Sequence, residues 1–210
     1  QIDYDEDVTH KAVQEIFDAA RASDGRPFFL QVSYTHPHDP YLCQQQHWDL
    51  YDEVDIPMPR VGMIPHNEND PHSLRVLHQH GFADANVPDE AIARARRAYC
   101  GSVSYIDDQV ARLLAALEES GQAENTIIIF TSDHGEMLGE RGLWLKKTFF
   151  EPALRVPLII AAPSNFADGL VAGGRVSTPV SLLDLLPSFA AIAHGGEWHD
   201  AVDDLDGDSL

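Results

Sequence analysis

The sequence predicts a layered α/β fold with a mostly parallel sheet. Segments with helical apolar spacing alternate with short β-branched runs, and two of those runs, 125–131 and 155–161, lack the polar alternation of a half-exposed strand. Helices alternating with buried strands imply helical layers packed on a sheet. The 210 residues suffice for one sizeable core, and 44% apolar with 23% charged residues excludes collagen-like, low-complexity and disordered chains. One domain over 1–210 is therefore expected.

From Asp7 to Ala20, Val8, Val13, Ile16, Phe17 and Ala20 recur at near-helical spacing, and Ser23-Asp24-Gly25-Arg26-Pro27 closes the helix with turn residues. Phe28 to Tyr34 is aromatic and β-branched, the composition of a strand, and it empties into the polar segment Thr35-His36-Pro37-His38-Asp39-Pro40-Tyr41. Residues 41–88 carry Pro, His, Asp and Asn with little periodicity and read as a long loop, either functional or a mobile excursion. After Pro88, the apolar positions Ile92, Tyr99, Val103, Ile106, Val110, Leu113 and Leu117 mark one long amphipathic helix that Gly121 caps. That face reads as core rather than a partner-binding zipper, because organised flanking charge is lacking. Asn125 to Thr131 and Arg155 to Ala161 are predicted buried strands. Thr178 to Ala193 reads as a helix with Leu182, Leu183, Leu186, Phe189 and Ile192 inward, bent or restarted at Pro187.

Charge and cysteine content narrow the function. Fourteen Lys and Arg against 34 Asp and Glu leave −20, which repels phosphate backbones and anionic lipid, so no nucleic-acid or membrane partner is expected. No apolar run approaches the ~20 residues that span a bilayer. Cys43 and Cys100 form neither a disulfide framework nor a metal-binding pair, which favours a reducing, cytoplasmic setting. The chain opens at Gln1 without an initiator Met or leader and stops just after a turn signal, so both ends read as cuts.

Five groups of residues could carry chemistry. Asp133-His134 stands at the end of a hydrophobic strand before Gly135, whose missing side chain permits close backbone approach. A hard divalent cation takes carboxylate oxygen, and imidazole serves as ligand or as anion contact; the alternative is a turn-capping Asp beside a surface His. Lys146 and Lys147, in Gly142-Leu143-Trp144-Leu145-Lys146-Lys147, are either an anion contact or a solvated pair. His36 and His38 flank Pro37 in a stiff loop and suit anion contact or proton transfer, with His36 taken alone reading as a solvent-facing ring. His66, His72, His78 and His80 lack the Cys or Glu that would complete a zinc site. Asp203, Asp204, Asp206 and Asp208 do not place Gly207 as a calcium loop requires, and read as a solvated terminus.

Taken together, Pro37-His38-Asp39-Pro40, Ser132-Asp133-His134-Gly135-Glu136, Gly139 to Lys146 and Arg155-Val156-Pro157-Leu158 resemble, in order and spacing, the type I sulfatases of the alkaline-phosphatase superfamily. The resemblance runs from about Phe28 to Leu210. In the middle, THPHDPY at 35–41, DPHS at 70–73 and RRAYCGSVSYIDDQV at 96–110 are similar to the choline-sulfatase branch. The resemblance implies an alkaline-phosphatase-like α/β/α sandwich, of which 1–210 is the central and C-terminal part. It implies hydrolysis of a small-molecule sulfate monoester, choline sulfate above all. Asp133 and His134 would stand in the shell of calcium or a similar divalent ion, Lys146 would contact sulfate and nucleophile, and His38 would touch the sulfate or the leaving oxygen. A homo-oligomer is compatible with this reading.

One departure accompanies these matches. Sulfatases make a formylglycine from Cys or Ser in C/S-x-P-x-R and add an early Asp pair at the metal, and neither pattern occurs between Gln1 and Leu210. The resemblance therefore puts nucleophile and remaining ligands upstream of Gln1, and predicts that the 210 residues alone are inactive. The competing expectations are a phosphonate or phosphate ester hydrolase of the same superfamily, and a non-catalytic binding or assembly fragment.

Overall fold

The computed structural model describes residues 1–163, 172–193 and 205–210. The chain divides into two compact units, Gln1–Phe166 and Ala167–Leu210. In the first, α1 (Ile2–Arg21) packs on the 31-residue α4 (Asp89–Glu119). Their apolar stripes meet at Ile16, Ala116 and Leu117, with Val13, Phe17, Leu30, Leu113 and Ile128 around them. The apolar spacing legible in both segments is thus the seam between two helices. Val103 departs from that pattern and is exposed, since the seam drifts around a straight helix over so many turns. As the sequence predicts, α4 ends at a left-handed Gly121 (φ 73°), with Gln122 N–H donating to the Leu117 carbonyl at 2.9 Å.

The sheet differs from expectation. Strand β1 (Ile128–Thr131) pairs with β2 (Leu158–Ala161) in antiparallel register, Ile128 opposite Ala161 and Thr131 opposite Leu158, and this is the sheet formed by the described residues. A parallel pair needs a full crossover helix. Here the connection holds only a 3₁₀ turn over 140–142 and the one-turn α5 (Glu151–Leu154), and the chain returns antiparallel. Residues 28–34 do not join this ladder. Nor are the strands buried on both faces: Ile128 meets the α1–α4 seam, whereas Ile159 is 59% exposed.

Residues 41–88 are not a mobile excursion. They contain α2 (Gln45–Asp49) and α3 (Pro71–His80), and α3 buries Val76 and Leu77 against Met137, Leu143 and Ala153 in a second core. The start of α3 is coded in Asp70-Pro71-His72-Ser73: the Asp70 carboxylate accepts from His72 N–H (3.0 Å), Ser73 N–H (2.9 Å) and Ser73 O–H (2.5 Å), and Pro71 occupies the first turn. Gly81 closes the helix at φ 75°. Glu140 then fastens the rest of the segment to the second core by accepting from Arg60 N–H (2.8 Å) and Val61 N–H (3.1 Å).

In the second unit, a capping box at Ser181 and Asp184 starts a short 3₁₀ turn over 182–184, and α6 (Leu185–Ala193) follows. The helix starts later than predicted because Pro187, which has no N–H to offer, fits only its first turn. Leu182, Leu183, Leu186 and Ile192 are exposed rather than inward. The backbone of Asp208 donates to Asp184 (3.1 Å) while its side chain stays exposed, as does that of Asp206; Asp203 and Asp204 lie outside the described residues.

The cap of α3 gives the first prediction. Hydrogen bonds from the Ser73 hydroxyl and N–H hold the Asp70 carboxyl below its ordinary value. A lowered carboxyl stabilises the fold above the unfolded value, ~3.9, and that contribution is lost as pH falls through the folded value. Asp70→Ala is expected to cost about 1 kcal/mol in urea denaturation at pH 7, and the difference from wild type should shrink as the titration is repeated below pH 4.

Candidate functional site

Three segments meet. The first is the loop after residues 28–34, where His38 N–H turns back onto the Thr35 carbonyl (3.0 Å) and the peptides preceding Pro37 and Pro40 are cis. His38 Nδ1 lies 2.6 Å from the Asp39 carboxylate, and the Gln1 side chain donates to the Asp39 carbonyl at 2.7 Å. His36 belongs to the same loop but is not solvent-facing: it is 5% exposed, turned inward onto Asp5.

The second segment leaves β1. Ser132 Oγ donates to the His134 carbonyl and His134 Nδ1 donates to the Gly135 carbonyl, both at 2.7 Å. Gly135 N–H donates to Ala153 (2.7 Å) and Glu136 N–H to Pro152 (2.8 Å). At Gly135 a Cβ would stand 2.0 Å from the Pro152 carbonyl oxygen, so the backbone-to-backbone approach expected there is present.

The third carries the lysines. Leu145 adopts φ 65°, a left-handed conformation that a leucine rarely takes, while its carbonyl accepts from Met137 N–H (2.9 Å). Beyond it, Lys146 turns inward and Lys147 stays exposed. His72, the third residue of the DPHS motif, donates from Nε2 to the Lys147 carbonyl at 2.9 Å. The sequence flagged DPHS without a role. Its cap signature, Asp followed by Pro and Ser, was the available clue that His72 sits on a fixed helical turn.

Lys146 Nζ lies 2.6 Å from His38 Nε2 and 2.7 Å from His134 Nε2. An ammonium can only donate, so both imidazoles accept at Nε2 and carry their proton on Nδ1, where Asp39 and the Gly135 carbonyl receive it. Two of the three ammonium N–H groups are so engaged. The third is available to an anion, in a chain that is otherwise strongly acidic. Of the two adjacent lysines, it is Lys146 that lies against both histidines.

Tyr41, next to the His38 loop's Pro40, has its ring 6.0 Å from that of Tyr99 and 6.3 Å from that of Trp144. Burial, reinforced by the Glu136 carboxylate, pushes the Tyr41 hydroxyl far above its ordinary value, and burial pushes Tyr99 up to about 12. Both hydroxyls remain neutral at any physiological pH.

The Asp133 side chain is 88% exposed and its Oδ1 lies 3.7 Å from His134 Nε2. Its open carboxylate suits a hard cation, which takes six to eight oxygens. His134 does not suit the same ion as placed, since both its ring nitrogens are engaged and Lys146 would have to release Nε2. Among the described residues no cluster of three or more His, Cys, Asp or Glu assembles a metal shell. This holds also for His66 and His78, whose rings pair edge-on at 5.8 Å. Cys43 and Cys100 are free thiols. No helix among the described residues is long and apolar enough to cross a membrane.

Comparison with known proteins gives one consistent result. The sulfatase family model matches residues 2–195, beginning earlier than the motifs alone suggested. The chain is 43% identical over 196 residues to choline-sulfatase of Rhizobium meliloti, covering 92% of this chain and 37% of that protein. It is 34% identical over 188 residues to an arylsulfatase of Clostridium perfringens, covering 89% of this chain and 38% of that protein. Among solved structures, a phosphonate monoester hydrolase from Silicibacter pomeroyi has a TM-score of 0.75 at 31% identity, covering 96% of this chain and 40% of that one. The chain spans well under half the length of these relatives.

The contact at Gly135 is testable without an assay. Gly135→Ala forces its methyl onto a backbone oxygen that cannot rotate away, so α5 or the 132–136 turn must shift. A loss of about 1–3 kcal/mol in denaturant-induced unfolding is expected, against under ~0.5 kcal/mol for the exposed Gly25→Asn, a residue tolerant of positive φ.

Proposed function

This chain belongs to the sulfatase family, and from that premise we propose that it forms the central part of a sulfuric ester hydrolase whose substrate is a small sulfate monoester, choline sulfate being favoured. The observation that carries the proposal is the single ammonium held between two imidazoles, Lys146 between His38 and His134. The choice of choline sulfate rests on the 43% identity to a choline-sulfatase.

In this reading Lys146 directs its uncommitted N–H at a sulfuryl oxygen, where fixed positive charge stabilises the charge that shifts toward the departing oxygen. His134 and His38 orient the ammonium by accepting from it. The departing alkoxide needs a proton: the Lys146 ammonium holds one to give, and His38, which accepts from Lys146 at Nε2, would have to take that proton before passing it on. Asp133 offers one carboxylate to a divalent cation of the calcium type, which when bound supplies electrophilic stabilisation of the sulfate oxygens. The nucleophile is proposed to be a formylglycine on a segment preceding Gln1. These 210 residues alone are then inactive toward sulfate esters.

The runner-up is a phosphonate or phosphate ester hydrolase. Its support is the structural likeness to a phosphonate monoester hydrolase, since sulfate, phosphate and phosphonate present similar tetrahedral oxygens to Lys146.

Assays of the full-length protein on choline sulfate, an aryl sulfate and a phosphodiester separate the two, with dominant phosphodiester turnover rejecting the sulfatase reading. Lys146→Ala should lower kcat/KM by about 10²–10³-fold, while Lys147→Ala, at an exposed position, should stay within ~3-fold. Calcium titrated calorimetrically into wild type and Asp133→Ala should bind the variant more weakly; equal binding would favour a non-catalytic module.

A further inference from the structure

The residue that anchors the His38 loop is neither in the loop nor in any motif that the sequence singled out. Asp5, in the first turn of α1, has 0% exposure. A carboxylate in such a place is costly unless its oxygens are fully hydrogen-bonded. They are: Oδ1 accepts from Thr35 N–H (2.7 Å) and Thr35 Oγ1 (3.0 Å), and Oδ2 from His36 N–H (3.1 Å). His36 Nδ1 lies 2.5 Å from Oδ2. The opposite nitrogen of that ring, Nε2, donates to the Leu42 carbonyl at 2.9 Å, and the buried Ser102 hydroxyl donates to the same carbonyl at 3.1 Å. The imidazole therefore bridges the two ends of the segment 35–42 and closes it at its base. His38 stands inside the closed loop, two residues from the clamp.

We propose that Asp5 and His36 are positioning residues for the sulfate-ester chemistry proposed above: the buried Asp5–His36–Leu42 clamp fixes the loop so that His38 Nε2 reaches Lys146. Neither touches a substrate. Their contribution is the placement of the His38–Lys146 pair, and an ångström-scale misplacement of such a pair lowers rate by about 10²-fold. The effect falls hardest on substrates whose leaving oxygen needs a proton. An alkyl ester such as choline sulfate needs it, whereas 4-nitrophenyl sulfate, which departs as a stable phenolate, does not.

The inference rests on that reading of the site, and two readouts keep them apart. In the full-length protein, Asp5→Asn and His36→Gln should lower kcat on choline sulfate about 10²-fold, with KM nearly unchanged and a much smaller loss on 4-nitrophenyl sulfate. Thr35→Val, which removes one hydroxyl and keeps both backbone donors, should shift the ratio of the two rates in the same direction by less, and Asp5→Glu should recover part of it. Rates on both esters falling in equal proportion, or loss of folding in all variants, would overturn the inference, because the clamp would then be a folding element only. The second readout does not depend on turnover: a crystal structure of Thr35→Val or Asp5→Asn should show His38 Nε2 beyond hydrogen-bond reach of Lys146. An unmoved His38 overturns the clamp even if the protein hydrolyses sulfate esters. A displaced His38 supports it even if wild type turns over neither ester, a result that would reject the sulfatase reading instead.

Discussion

An ammonium can only donate hydrogen bonds, and the way Lys146 distributes its own constrains most of what surrounds it. Two N–H groups go to imidazole nitrogens delivered from segments 108 and 12 residues away. Each imidazole can accept only because its other nitrogen has an acceptor of its own, the Asp39 carboxylate for His38 and the Gly135 carbonyl for His134. The orientation of one charge thus propagates through two rings into the backbone of two loops. The loops in turn need their own anchors, since a loop free to drift would leave the ammonium with unmatched donors in a partly buried setting.

Those anchors are backbone contacts and polar knots more than apolar packing. On one side, Gly135 lets the 132–136 turn lie directly on α5, closer than any side-chain-bearing residue allows. On another, the capped first turn of α3 brings His72 to the Lys147 carbonyl. On the third, a carboxylate from α1 closes the base of the His38 loop. The apolar clusters, Ile16 with Leu117 and Leu77 with Leu143, set the helices that carry Asp5 and Asp70, and so act on the site at one remove. This arrangement suits a tetrahedral anion, whose recognition depends on directed N–H groups rather than on enclosed apolar volume.

Much of this was legible in the residues. The helical spacing from Ile92 to Leu117 marked α4, Gly121 marked its end, and the order of Pro37-His38, Asp133-His134 and Lys146 pointed to the sulfatase resemblance that the family comparison supports. Other features were misread. The excursion over 41–88 contains a capped helix because Asp70-Pro71-His72-Ser73 is a start signal too short to show apolar periodicity. His36, read as solvent-facing, is buried because its partner Asp5 lies 31 positions earlier, on a helix whose stripe gave no hint of a buried acid. The pairing of β1 with β2 was invisible because apolar runs encode burial and not strand direction.

The sequence by itself determined the course of the long helix α4 and its glycine end, which residue types could meet an anion, and which family the chain resembles, since caps, periodicity and motif spacing are properties of neighbours along the chain. Only the tertiary structure decided that Lys146 rather than Lys147 faces the histidines, that Asp5 and His36 form a closed clamp, and that β2 runs against β1. The physical reason is that directed hydrogen bonds between distant segments exist only after packing has fixed their separation to a few tenths of an ångström, and no local preference encodes that separation.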